Sequence, residues 1–349
     1  MTATMDCGSL AGGSVLRKPV GRGDGYWVGA PTVFRDPVDG ASYLTYRIRR
    51  PRGVEPDRGG EARIARAETG FQFEDIFALT KDQIGTASIE RCYVHHAPDG
   101  QWRYFVSYVD PSDGRWCVSM MKADTIDALE PDNLRPLWKA ADLGLEGVKD
   151  PWIAEIDGRY CMFLSIALST AATSNQSHDT LDIYNTGHCV SASALATASD
   201  LDHWTWEGII FRPEASGWDC YCRRINSVVS VEGRFVAFYD GSVSHHMNYE
   251  ETTGLAVSDD LRSWQTLTPE GPVLTSPHAS GSLRYVDAQE VGGRLHIFYE
   301  FAREDGAHDL RVIEVAPCLL GEQSRRSLTI PPAAPVSRPH CSVLPRTHP

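Results

Sequence analysis

Long apolar runs are missing from this 349-residue sequence: no stretch approaches the roughly 20 consecutive apolar residues of a membrane-spanning helix. Basic residues are in short supply too. Lysine and arginine number 33 against 46 aspartates and glutamates, a formal charge of −13. That argues against a nucleic-acid surface, which wants a net basic face, although a negative chain can still own a local basic pocket. There is no Gly-rich phosphate loop, no nucleophile elbow and no zinc-protease helix. The nine cysteines include no CxxC pair, and most of them (Cys92, Cys117, Cys161, Cys189) sit inside apolar, strand-like runs. Cys220 and Cys222 are two apart and would share one strand face, as a thiol pair or half a metal site; buried free cysteine is the commoner arrangement. Met1 to Val15 lacks a basic segment followed by an apolar core, so no secretory signal is read there. Reduced thiols without such a signal make the cytoplasm the expected compartment. Neither a membrane nor a nucleic acid is expected as a partner.

What the sequence does contain is a repeat. Five times an alternating apolar run leads through a tight acidic or glycine turn into an aromatic-rich run. The first runs are Trp27 to Phe34, Ser88 to Val94, Val148 to Ile153, Ile225 to Val229 and Ser282 to Val286. The turns are Val38-Asp-Gly40, Pro98-Asp-Gly100, Ile156-Asp-Gly158, Val231-Glu-Gly233 and Val291-Gly-Gly293. Hairpin turns need residues at positive φ, which explains the closing glycine, and period-two alternation is the mark of a strand. The turns recur about every 60 residues, stretched to roughly 75 once, which fits a four-stranded blade with its loops.

Third strands follow in each copy, and Ser199-Asp-Leu-Asp-His-Trp204 and Ser258-Asp-Asp-Leu-Arg-Ser-Trp264 are near-identical turns into outer strands. The pattern predicts an all-β chain: a five-bladed β-propeller of one domain, residues 14–320, with a funnel-shaped central pocket. The fifth blade has no fourth strand of its own after Val315, so Ser14 to Lys18 is expected to supply it and close the ring. The tail 331–349, with six prolines and no periodicity, is expected to be extended or disordered. The widest interruption, Ala167 to His188, is polar and longer than an ordinary loop, a property often tied to function.

In a propeller the innermost strand of each blade lines the channel, and its first residues rise to the mouth. Those positions hold Asp24 and Trp27, Glu90 and Arg91, Lys149 and Asp150, Asp219, Arg223 and Arg224, and His278 and Arg284. Such a convergence of charge from remote parts of the chain points to a binding site; polar lining of a wet channel is the alternative. Arg47 and Arg49 share a strand face and can overhang the funnel as anion contacts, or belong to a solvated loop. The segment from Ser242 to Glu251 brings His245, His246, Asn248, Tyr249 and Glu250, which suits sugar hydroxyls. Adjacent histidines point to opposite strand faces, so neither His245-His246 nor His95-His96 makes a metal pair, and neither a metal nor a cofactor is expected.

The segment Val148-Lys-Asp-Pro-Trp-Ile153, with Asp157-Gly-Arg-Tyr160 and Phe163-Leu-Ser165, resembles the aspartate-proline blade start of the five-bladed glycosidase superfamily. That group includes the arabinanases and xylosidases of family 43, the invertases and the mannoside phosphorylases of family 130. The resemblance spans all five blades, Trp27 to Val315. It implies a glycoside-acting enzyme, hydrolase or phosphorylase. Family 43 would imply three carboxylates. Asp150 matches the blade-three residue, but Gly29-Ala-Pro31 stands where a blade-one aspartate is expected, and Arg223-Arg224-Ile-Asn226 replaces the blade-four glutamate segment. Family 130 would make Asp150 the proton donor and need a cationic phosphate pocket, which Arg223, Arg224 and Arg284 could supply.

Glycosidic cleavage needs a proton donor at the leaving oxygen and a base or nucleophile opposite it. Asp150 and Glu90 are the expected catalytic pair, with a structural salt bridge to a channel arginine as the alternative for each. Asp24, Trp27, Arg91, Lys149, Arg223, Arg224, His246, Tyr249, His278 and Arg284 are the expected substrate contacts. The expected partner is a small sugar-containing molecule, with phosphate if the enzyme is a phosphorylase. Two other readings stay open: a propeller turned to elimination, cyclisation or rearrangement in a biosynthetic pathway, and a non-catalytic sugar- or metabolite-binding propeller.

Overall fold

The computed structural model describes residues 11–315, whose regular structure is twenty β-strands and seven short 3-10 turns. They form five successive four-stranded antiparallel units. The first is β2 (Trp27–Arg35), β3 (Ser42–Arg50), β4 (Arg58–Ala67) and β5 (Glu74–Thr80). The second is β6 (Tyr93–His96), β7 (Trp102–Val109), β8 (Trp116–Ala123) and β9 (Arg135–Trp138). The third is β10 (Gly147–Ile156), β11 (Arg159–Ser169), β12 (Cys189–Ala198) and β13 (Thr205–Phe211). The fourth is β14 (Cys222–Val231), β15 (Arg234–Ser242), β16 (Thr252–Ser258) and β17 (Gln265–Thr266). In the fifth, β18 (Leu283–Val291), β19 (Arg294–Ala302) and β20 (His308–Val315) are completed by β1 (Ser14–Arg17), which pairs antiparallel with β20. The tail 331–349 and the end of the 14–320 span lie outside the described residues.

Glycine at the hairpins does what the turn chemistry requires: Gly40 and Gly158, between the first and second strands of their units, sit at φ 73° and 72°. The two tryptophan turns have one mechanism. Asp200 Oδ1 accepts the Asp202 and His203 amides at 2.9 and 2.7 Å, and Asp260 Oδ1 accepts those of Arg262 and Ser263 at 2.8 Å. Each tryptophan then donates its indole N–H to the turn, Trp204 to the Leu201 carbonyl and Trp264 to the Leu261 carbonyl. Between units the apolar faces interlock, as where Phe105, Trp152, Phe163, Leu195 and Ala237 join one buried cluster. Each large side chain so buried contributes roughly 1.5–3 kcal/mol.

The inner strands share one irregularity. Each carries a single-residue β-bulge at the same height. Gly29 to Thr32, Lys149 to Trp152 and Arg284 to Asp287 each advance one residue further than their partner strands, as do Ile225 to Ser227 and Ile89 to Tyr93. The bulged positions are Ala30, Arg91, Asp150, Ile225 and Tyr285, and three of them, Ala30, Asp150 and Tyr285, have φ of 52°, 57° and 52°. Non-glycine residues avoid that region, and where they occupy it the strain tends to mark a functional site.

At four of the five bulges the preceding unit supplies an acceptor for the displaced N–H. Ser107 Oγ takes that of Asp150 (3.3 Å), Ser193 Oγ that of Ile225 (2.7 Å), and Asp240 Oδ1 that of Tyr285 (3.1 Å). Glu300, from the last unit, takes the N–H of Ala30 in the first (3.1 Å).

Five cysteines, Cys92, Cys117, Cys161, Cys189 and Cys222, are free and buried. Cys220 is disulfide-bonded, which departs from the reading of free thiols throughout. No described helix is long and apolar enough to cross a membrane.

Candidate active site

Bulging turns the side chains of the inner strands toward one another at the centre, where charges from all five units meet. Glu90 is held on three sides. Arg47 Nη1 lies 3.3 Å from Oε1, Lys149 Nζ 3.9 Å from Oε2, and the Tyr285 hydroxyl donates to Oε2 at 2.8 Å. The Lys149 ammonium also lies 3.2 Å from Asp150 Oδ2, while its other side faces the rings of Trp116 and Tyr184 at 5.2 and 5.0 Å. Beside this pair, Glu251 receives Arg224 at 3.1 Å and Arg284 at 2.8 Å. Glu300 receives Arg284 at 2.6 Å, Arg47 at 3.2 Å and His308 Nδ1 at 2.8 Å.

Asp150 stands apart within this network. It is 1 % exposed, and neither carboxylate oxygen accepts a hydrogen bond among the described residues. The nearby Lys149 charge compensates it without hydrogen-bond geometry. The two Lys149 contacts also cap the separation of Glu90 and Asp150, whose nearest oxygens can be no further apart than 3.9 and 3.2 Å laid end to end. That is compatible with direct attack, or with an intervening water only at the low end of the roughly 6.5–9.5 Å that inversion uses.

Glu90 and Asp240 are displaced in opposite directions. Burial would push Glu90 up, but Arg47, Lys149, Arg284 and the Tyr285 hydroxyl bring it down to about 2, so it stays ionised. Asp240 has no such surplus of cations. Burial, and then the charge of Glu251, push it up to about 7. A carboxyl raised above its unfolded value of about 3.9 holds its proton more tightly in the folded chain, so stability falls as pH rises from about 4 to about 7. Asp240→Asn keeps an acceptor for the Tyr285 N–H and removes the charge. Urea unfolding should therefore find the variant more stable than the parent by on the order of 2–4 kcal/mol at pH 8, and nearly equal near pH 4. A variant weaker than the parent at both pH values would refute this account of Asp240.

Of the expected site residues, the structure gathers Glu90, Asp150, Lys149, Arg224, Arg284, Trp27 and Tyr249, and leaves five elsewhere. Arg223 turns to the other face of β14, as the neighbour of Arg224 must. There it pairs with Asp219 at 2.8 Å and Glu214 at 3.2 Å over the Phe211 ring. Arg91 is fully buried but spends its guanidinium on the carbonyls of Pro31 (2.7 Å) and Asn226 (2.8 Å), tying three units together. Asp24 is exposed beside Gly306, His246 is exposed and packs on His245, and His278 sets its ring edge against Phe301.

Tyr285, Glu251, Glu300, Asp240 and His308 were missed. Tyr285 was legible in position, since it stands before the closing glycine of its hairpin turn, Gly293, at the same distance as Asp150 stands before Gly158. Glu300 also left a trace as a lone charge between Tyr299 and Phe301 in an apolar strand.

The connection between β11 and β12 covers this centre. Its Tyr184 is buried against Lys149 and Arg224. Its Asp182 accepts from Trp116 Nε1 at 3.1 Å and from the Tyr249 hydroxyl, and the Leu181 carbonyl accepts from Arg58 at 2.8 Å. The cluster is consequently closed rather than open as a funnel. A cavity of about 950 Å³ instead opens at the other end of the inner strands, lined by Phe34, Tyr93, Trp152, Val229 and Gln289 among others. Among the described residues no group of three or more His, Cys, Asp or Glu is placed to hold a metal ion.

No family model matches the sequence, and no curated protein does either. Solved structures do match in fold. A thermostable family-43 glycoside hydrolase superposes with a TM-score of 0.58 at 13% identity, covering 82% of this chain and 88% of that one. The β-1,2-mannobiose phosphorylase from Listeria innocua gives 0.58 at 15% identity over 89% and 95% of the two chains. The endo-arabinase from Bacteroides thetaiotaomicron gives 0.55 at 13% identity over 87% and 97%. By fold, then, the chain is a β-propeller of the kind that glycoside hydrolases and a glycoside phosphorylase share.

Proposed function

We propose that this protein is a five-bladed β-propeller enzyme that cleaves the glycosidic bond of a small sugar-containing substrate at the charged centre. The observation that carries the reading is Asp150, a carboxylate buried on a strained bulge with no hydrogen bond to either oxygen. A buried carboxylate left without donors costs stability, and retaining one is readily understood where a substrate hydroxyl or glycosidic oxygen takes the vacant positions. Glu90, kept ionised by three cations, suits the charged partner, stabilising an oxocarbenium-like centre or activating water; Asp150 is left the proton transfer at the leaving oxygen. The ring of side-chain contacts from each unit to the next, including Thr45 to Cys92 and Glu300 to Ala30, supports five blades around one axis.

Fold alone would not carry this, since one fold hosts many chemistries. The earlier idea of a phosphate pocket built from Arg223, Arg224 and Arg284 loses ground. Arg223 lies outside the cluster, and Glu251 and Glu300 already occupy the other two. Substrate access requires the connection carrying Asp182 and Tyr184 to move. The test is product detection by mass spectrometry with a panel of small glycosides, with and without phosphate. Turnover that disappears in Asp150→Asn supports the reading; turnover unchanged in that variant refutes it.

A further inference from the structure

We infer that Arg49 receives an anionic group, a carboxylate or phosphate, from the molecule that binds at the charged centre. The inference deepens the glycoside reading and rests on it for the place where the substrate lies.

Every other cation of the cluster is matched. Arg47 has Glu90 and Glu300, Lys149 has Glu90 and Asp150, Arg224 has Glu251, and Arg284 has Glu251 and Glu300. Arg58, nearer the covering loop, has the Leu181 carbonyl and, at 3.9 Å, Asp182. Arg49 has none of this. It is 5 % exposed, its guanidinium lies 4.4 Å from the Trp27 ring and 4.6 Å from the Tyr249 ring, and no described carboxylate, carbonyl or hydroxyl pairs with it.

Contact with two aromatic faces attracts the cation but satisfies none of its five N–H donors. A buried charge without a counter-ion is costly. Burial, with the neighbouring charges of Arg47 and Arg284, lowers the pKa of Arg49, and Tyr249 and the more distant Glu90 offset this only in part.

The position fits a substrate contact. Arg49 is the cross-strand partner of Trp27, the first residue of β2, and Tyr249 bonds the Asp182 side chain of the covering loop. Arg49 therefore sits between the carboxylates and the loop that must move, with its ring neighbours fixing the guanidinium plane. A planar fork so held pairs with two oxygens of one carboxylate or phosphate. The anion has two possible sources: a group borne by the sugar, or free phosphate acting as co-substrate.

Calorimetric titration of the full chain with D-glucuronate, glucose 6-phosphate, inorganic phosphate and glucose, at constant ionic strength, tests this apart from any turnover. At least one anion should bind the parent about 10- to 100-fold more tightly than it binds Arg49→Met, with Arg49→Lys in between. Phosphate binding as well as the sugar-borne anions identifies free phosphate as the source; binding confined to glucuronate or glucose 6-phosphate places the charge on the sugar. Unfolding temperatures without ligand establish that the variants fold, and Arg49→Lys carries the comparison if the methionine variant does not. Equal affinity of parent and variants for every anion, or no anion bound at all, overturns the inference. Because binding is the readout, that result leaves the role of Asp150 to its own experiment.

Discussion

Asp150→Asn should lower turnover by about 10²- to 10⁴-fold, the range that positioned proton transfer contributes, while leaving the unfolding temperature unchanged or raised. Both halves come from one environment. The side chain is 1 % exposed and its oxygens accept no hydrogen bond, so replacing carboxylate by amide removes a buried charge without breaking a bond. What remains is Lys149, still 3.9 Å from Glu90. A residue that lowers stability where it sits and whose neutralisation removes activity shows the trade-off expected of a functional group. Glu90→Gln should behave differently, losing stability as well, because Arg47, Lys149 and Tyr285 all close on that carboxylate. Turnover and thermal unfolding measured on the same preparations separate the two. An Asp150→Asn enzyme that works at the parental rate removes Asp150 from the chemistry.

The strands were largely legible in the sequence, because alternation and turn glycines are local signals. Trp27 to Phe34 falls in β2, Val148 to Ile153 in β10, and Ser14 to Arg17 pairs with β20 at the far end of the chain. The centre was legible only in part. A bulge inserts one residue without disturbing a strand that is buried on both faces, so no pattern announced that Asp150 and Tyr285 turn inward together. The choice between Arg223 and Arg224 depends on register, which a one-residue slip reverses. Ion pairs such as Arg47 with Glu300, 253 positions apart, are set by ring closure and leave no local trace. The polar interruption at Ala167 to His188 signalled a loop with a task, but not that Asp182 and Tyr184 fold inward over the charges.

Glu300 carries the largest structural expectation. It is wholly buried on β19, and its two oxygens receive Arg284 (2.9 and 2.6 Å), His308 (2.8 Å), Arg47 (3.2 Å) and the Ala30 amide (3.1 Å). The last two contacts join the fifth unit to the first. Removing one partner of a buried network leaves the others as uncompensated charges, which costs about 3–5 kcal/mol. Glu300→Gln keeps the shape, loses the charge and turns an amide donor toward donors. It should melt about 10 °C below the parent near pH 6.

The pH dependence follows from two signs. Burial opposes ionisation of Glu300, but Arg284, His308 and Arg47 bring its carboxyl below the ordinary range, so its contribution is present above about pH 4.3 and fades as pH falls further. Burial likewise opposes protonation of His308, but Glu250 and Glu300 raise it, so that contribution is full below about pH 6.5 and is lost as pH rises through the folded value. The gap between parent and variant should thus be widest from about pH 5 to 6.5 and narrow on both sides, as calorimetric scans at roughly pH 4, 6 and 9 would show. A gap that does not vary with pH would mean that Glu300 acts through packing, and an absent gap would mean that the ring is closed by other contacts.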